Sequence, residues 1–153
     1  MSCFLGKLKE FKAISLDRFD GDNLRSTMYF LSHCHADHMV GLDSHDMAHR
    51  LKIDSSIKLY CSSTTSALLL AISRFEHLRP HIEQLPIDEE LSLPVPSCSS
   101  ELPNQKFISV TLIPAGHCPG SVMFLLKADQ EKVLYTGDFR YHIGDTIKLQ
   151  SQS

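Results

Sequence analysis

The stretch "FLSHCHADHMVGL", residues 30–42, constrains this chain more than any other. The β-prone run "TMYFLS", 27–32, reads as a strand buried in a sheet. It stops at Ser32 and is followed at once by His33, His35, Asp37 and His38. In extended backbone alternate side chains share one face. His33 and His35 therefore point together, and Cys34 points the other way as a packed core thiol. Asp37 and His38 follow as the chain turns and can reach a second position close by. Three imidazoles and a carboxylate suit Zn²⁺, Mn²⁺ or Fe, with zinc the default for an imidazole-rich set. A lone loop histidine is ordinarily a surface residue, which is the reading for His45, His49, His77, His81 and His142.

A fold that uses this cluster must bring further donors to the same strand end, and the rest of the chain offers them. "FKAISLDRF", 11–19, reads as a strand ending near Asp17, and "IKLYC", 57–61, as another. "MVGLDSHDMAHRL", 39–51, contains a short helix. "SSTTSALLLAISRF", 62–75, carries Ser and Thr caps before a helical run. Residues 76–106 are the least legible, broken by Pro80, Pro86, Pro94, Pro96 and Pro103, with "PSCSSELPNQ", 96–105, as an exposed loop. "KFISVTLIPAG", 106–116, is a strand ending at Pro114. "SVMFLLKADQEKVLYTGDF", 121–139, is a hairpin turning at 128–131. The ligand-type residues thus recur just after strands, where a rigid sheet presents functional loops. They are Asp17, the cluster, His117 in "PAGHCPGS" and Asp138 in "YTGDFR". A carboxylate such as Asp138 can bridge two metals through its two oxygens.

Composition narrows the class. The chain has 153 residues, 42% of them hydrophobic, enough for one domain with a modest core. Its formal net charge of -3 neither points to nucleic acid nor excludes it. Five cysteines without paired spacing argue against a disulfide framework and for a reducing compartment. Lys7, Lys9, Glu10 and Lys12 interrupt any secretory signal. The longest apolar run, Ala67 to Ile72, is too short to cross a bilayer, so no membrane association is expected.

"SHCHADH" resembles the HxHxDH signature of the metallo-β-lactamase fold, and "AGHCPGS" and "TGDF" resemble its later motifs, in order. The longer strings "AISLDRFD", "YFLSHCHADHMVGL", "TLIPAGHCPGSVMFLL" and "VLYTGDFR" are similar to the β-CASP DNA nucleases within that superfamily. The resemblance runs from about residue 11 to about residue 141.

It implies an α/β architecture, the αββα sandwich of two facing sheets with helices outside. Residues 1–143 would form part of such a domain and 144–153 a polar, disordered tail. His33, His35, His117 and Asp138 would surround one metal. Asp37, His38 and a bridging Asp138 would address a second, and Asp17 would orient ligands from behind. The cofactor would be zinc, one ion or two, with magnesium or manganese as alternatives at the second position. Asp37 and Asp138 would be catalytic, Asp37 holding and deprotonating the attacking water.

The implied activity is metal-dependent hydrolysis of DNA phosphodiesters, by a 5′–3′ exonuclease or a structure-specific endonuclease acting on ends, hairpins and overhangs. The implied setting is nuclear, in double-strand break repair by end joining and in interstrand crosslink repair, with a DNA-dependent protein kinase as partner. The family's later strands and its β-CASP insertion have no counterpart in these residues. The expectation is therefore an incomplete sandwich, a truncated product or fragment with little nuclease activity alone. Two alternatives stand beside it. One is a non-catalytic zinc-binding chain, and the other is a hydrolase of this fold acting on RNA or a thioester.

Overall fold

The computed structural model describes residues 4–96 and 106–140. Four short strands, β1 (Ile14–Leu16), β2 (Met28–Phe30), β3 (Lys58–Ser62) and β4 (Ile82–Leu85), form a parallel sheet in sequential order. Four more, β5 (Glu90–Pro94), β6 (Phe107–Pro114), β7 (Val122–Ala128) and β8 (Glu131–Tyr135), form an antiparallel sheet, also in sequential order. Helix α1 (His45–Ile53) connects β2 to β3, and α2 (Ser63–Leu70) follows β3 directly. Ser44 and Ser62 cap the two helices, each accepting a hydrogen bond from the amide three residues on.

Sequential order in a parallel sheet, with crossovers of one hand, puts every connection on one face. That face is apolar. Tyr29 and Leu31 from β2 and the segment after it, Leu59 and Cys61 from β3, Met47 and Leu51 from α1, and Leu69 from α2 are all buried together. The alternate side chains of the same strands, Met28, Phe30 and Tyr60, point the other way. They meet Ile108, Val110 and Leu112 of β6 and Val122, Phe124 and Leu126 of β7. Phe30 stacks on Tyr60 at 5.0 Å and meets Phe124 edge-on at 5.2 Å, so one ring joins the two sheets. Ile113, Ala115, Met123 and Leu125 form a smaller cluster on the outer face of the antiparallel sheet.

The layers are thus helix, sheet, sheet, the metallo-β-lactamase sandwich that the motifs implied. The fourth layer of an αββα arrangement has no α-helix among the described residues. The strands expected around 11–19, 27–32, 57–61, 106–116 and 121–139 are present, and Asp129 turns the last hairpin with φ of 51°. The expected helix over 62–75 is shorter. It ends at Leu70, Ile72 is extended, and a 3-10 helix over Ser73–His81 follows. The polar tail assigned to 144–153, and most of the loop at 96–105, lie outside the described residues.

Candidate metal centre

The site is built where the two sheets meet. Ser32, the residue after β2 and Leu31, accepts a backbone hydrogen bond from Val122 at the start of β7 (3.1 Å). The His33 cluster and the His117 loop therefore spring from backbone that is tied together.

Behind the cluster lies Asp17, 4% exposed and in left-handed backbone with φ of 51°. A non-glycine residue held in that region marks a position fixed by its surroundings. Its Oδ1 accepts the Ser32 amide (2.7 Å). Its Oδ2 receives the Ser32 hydroxyl (2.5 Å), His38 Nδ1 (2.8 Å) and the Tyr135 hydroxyl (2.9 Å). Burial, then the charge of Asp17, pushes the Tyr135 phenol far up, so it stays a donor. Asp17 belongs to the same tight group as His33 and His38, but its oxygens are spent on these bonds. It holds Ser32, His38 and Tyr135 in place.

This network sets the tautomers. The Ser32 hydroxyl has one proton and gives it to Asp17, so at 2.9 Å it accepts from His33 Nδ1. His38 Nδ1 likewise faces Asp17. Both rings thus have Nδ1 engaged behind them, and neither buried Nε2 has a hydrogen-bond partner. Burial lowers the His33 pKa to about 4, keeping the ring neutral and its lone pair available. At His38 burial acts in the same direction, but the hydrogen bond and charge of Asp17 outweigh it and raise the pKa.

The remaining donors converge on these two nitrogens. His33 and His35 lie with ring centroids 4.5 Å apart, as alternation along extended backbone requires. The His117 ring is 5.1 Å from that of His33, and its Nε2 is 3.2 Å from His35 Nδ1. Two imidazole nitrogens on one tetrahedral zinc at the usual bond length stand about 3.3 Å apart. Asp138 reaches both halves: Oδ2 is 3.4 Å from His117 Nε2, and Oδ1 is 3.4 Å from His38 Nε2. Asp37 Oδ2 lies 3.9 Å from His38 Nε2. His35 and Asp138 are exposed and Asp37 half-buried, so the cluster is solid behind and open in front. Orphaned buried nitrogens facing an open carboxylate are what a metal position needs. This donor set fits metal ions, at one position or at two adjacent ones.

Every site residue named from the sequence is in this group. Cys34 is not. Its sulfur contacts the Thr65 carbonyl oxygen (3.5 Å), and burial pushes its thiol up to about 11. Sequence reasoning missed Ser32, Tyr135, Ser121 and Cys118. Ser121 accepts the amides of both His117 and Cys118 through its hydroxyl (3.1 Å each), fixing that turn. Cys118 lies with His33, His35 and His117 in one group whose donor atoms are all within 4.8 Å of each other.

A helix-sheet-sheet sandwich that gathers His and Asp donors at its strand ends is the metallo-β-lactamase fold with a candidate metal site. The chain belongs to the family described as "Anti-Pycsar protein Apyc1", whose model matches residues 13–153. It is 46% identical over 150 residues to "Protein artemis" of Danio rerio and 45% identical over 152 residues to the protein of that name in Homo sapiens, each match covering 98% of this chain. It is also 40% identical over 114 residues, 74% of the chain, to "5' exonuclease Apollo" of Mus musculus. The chain spans 23% and 21% of the length of the two artemis relatives and 18% of the third.

Proposed function

We propose that this chain carries the metal-binding half of a DNA phosphodiesterase site. His33, His35, His117 and Asp138 hold one zinc ion. His38, Asp37 and the second oxygen of Asp138 address another, zinc or a harder cation such as magnesium or manganese. The observation that carries the reading is the position of Asp138, whose two oxygens face His117 on one side and His38 on the other, each at 3.4 Å. Ions bound there supply Lewis acidity toward a phosphate oxygen and make water acidic enough to attack at neutral pH.

The protein's own groups do the rest. Asp17 and Ser32 keep both imidazole Nε2 atoms aimed forward, without reorganisation when the site is loaded. Asp37, at the open front, accepts the proton of the attacking water. The names artemis and 5′ exonuclease among the relatives support DNA as substrate, with 5′–3′ exonuclease or structure-specific endonuclease action on ends, hairpins and overhangs. On the same resemblance we assign the longer protein to the nucleus and to end joining and crosslink repair, with a DNA-dependent protein kinase as partner.

The test pairs metal analysis with cleavage. The purified chain should retain one to two equivalents of zinc, as two adjacent positions require. The human relative carrying the changes that match Asp37→Ala or His35→Ala of this chain should lose DNA cleavage by about a hundredfold or more. Wild-type cleavage in both variants sinks the reading.

A further inference from the structure

Helix α1 carries two histidines one turn apart on the outside of the helical layer. The Ser44 hydroxyl accepts the Met47 amide (3.1 Å) and fixes the first turn, while Met47 and Leu51 are buried on the inner side. Residues four apart on a helix share a face, so His45 and His49 stand outward together. Both are exposed, the His45 side chain at 93%. Their rings lie 8° from parallel with centroids 6.2 Å apart. We propose that His45 and His49 chelate one divalent cation of the copper, nickel or zinc class, at a site separate from the strand-end cluster. The inference uses none of that cluster's residues and stands independently of how the cluster is read.

Three features support it. Two imidazoles at i and i+4 are the arrangement by which one helix face offers two nitrogens to a single ion. Rings that share an ion at ordinary zinc–nitrogen lengths sit about 5 Å apart. Exposed side chains cover that difference by turning about their own rotatable bonds. The charge around the pair is also suitable. The positive start of a helix opposes a cation, but Asp46 Oδ1 lies 3.9 Å from His45 Nδ1 and brings a negative charge beside the pair. Finally, the neutral nitrogen donors choose the class of ion, because imidazole suits copper, nickel and zinc while magnesium and calcium take oxygen ligands.

This outer site differs in kind from the inner one. Two protein donors leave the remaining coordination positions to water, so the ion exchanges with solution. The second imidazole acts at high effective concentration, which raises affinity over that of one surface histidine by about tenfold or more. An ion held there spans the first turn of α1. The inner residues of that helix, Met47 and Leu51, pack with Tyr29 and Leu31 of the segment that leads into the histidine cluster. Occupancy therefore stabilises the layer behind β2, since the ion binds only the folded helix.

Nickel(II) titration tests the chelate. The 153-residue chain is first loaded with zinc and freed of excess by gel filtration. Nickel is then added at about pH 7.5, where free imidazole is mostly neutral. Calorimetry gives the affinity, and paramagnetic broadening of amide NMR signals locates the ion. Broadening should centre on residues 45–49. Affinity should fall by about tenfold or more in His45→Ala and in His49→Ala alike, because either change leaves a single donor. The double variant should bind no more weakly than either single one, and His77→Ala should match the wild type. Retention of the untagged chain on immobilised nickel iminodiacetate should follow the same order. Wild-type affinity in either single variant, broadening centred elsewhere, or no nickel binding at all overturns the chelate. Each of those results leaves the strand-end metal centre standing, since its residues are intact throughout.

Discussion

The dipeptide His-Cys occurs twice at this site, as His33–Cys34 and as His117–Cys118, and the two copies come out opposite. In the first, the backbone is still extended as it leaves the parallel sheet. Side chains alternate, so His33 faces the donors while Cys34 packs toward the helical layer against the Thr65 carbonyl oxygen. In the second, the backbone is a tight turn between β6 and β7, where alternation does not hold, and His117 and Cys118 face the same cluster. The platforms differ as much as the orientations. The first is buried and organised by one carboxylate, Asp17. The second is half-exposed and organised by one hydroxyl, Ser121, and by glycines. The identity of a residue next to a ligand therefore says little until the local backbone period is known.

Breaking the first platform should cost most. Asp17→Ala removes four hydrogen bonds and leaves the Ser32 amide and the Tyr135 hydroxyl without an acceptor. Unpaired buried donors and the broken histidine network predict a loss of about 3–5 kcal/mol, read by urea unfolding of the metal-free chain. Asp17→Asn, which keeps an acceptor oxygen and tolerates left-handed backbone, should lose about half as much. A loss below about 1 kcal/mol for the alanine variant would mean that Asp17 organises nothing.

The second platform should break more gently. Gly120 has φ of +81°, and an added Cβ would stand 2.9 Å from both Thr64 Cβ and the Thr65 amide nitrogen. Gly120→Ala combines left-handed strain with overlap against the start of α2, whose Ser62 and Thr65 hydroxyls both donate to the Gly120 carbonyl oxygen. The expected destabilisation is about 2–3 kcal/mol. Ser121→Ala removes the shared acceptor of two half-buried amides and should cost about 1–2 kcal/mol, with water replacing part of what is lost. Equal losses for Asp17→Ala and Ser121→Ala would erase the distinction between the platforms.

What the sequence could reveal follows the same division. The cluster at 33–38 was legible because a period of two governs the segment entering it, which places His33 and His35 on one face and Cys34 on the other. β6, β7 and β8 were legible because their inward faces are apolar: Ile108, Val110 and Leu112 alternate with Ser109 and Thr111 along β6. β4 and β5 were not. Glu83 and Gln84 occupy the middle of β4 and are exposed, and β5 is an edge strand that pairs on one side only and ends at Pro94. Their strand character comes from neighbours rather than from their own pattern. Ser32 and Tyr135 escaped notice because each acts through Asp17, 15 and 118 residues away in the chain, and no local spacing signals such a contact. Cys118 escaped because turns have no period from which a direction can be read.

The sharpest comparison of the two cysteines is chemical. Burial holds the Cys34 thiol at about 11, so at pH 7 only about one sulfur in ten thousand is the reactive thiolate. Its alkylation by iodoacetamide, followed by peptide mass spectrometry, should rise about tenfold per pH unit from pH 7 to 10 and level off only near 11, because the neutral form is the one that burial favours. Added zinc should leave that profile unchanged, since the Cys34 sulfur faces away from the donors. Cys118 sits at the open side of the site, so in the metal-free chain it should label faster than Cys34 at every pH. Zinc should then slow it by about tenfold or more, and a chelator should restore the rate. Zinc protection of Cys34 to the same degree as Cys118 would show that the two His-Cys pairs are alike after all, and that the backbone period at β2 does not carry through to Cys34.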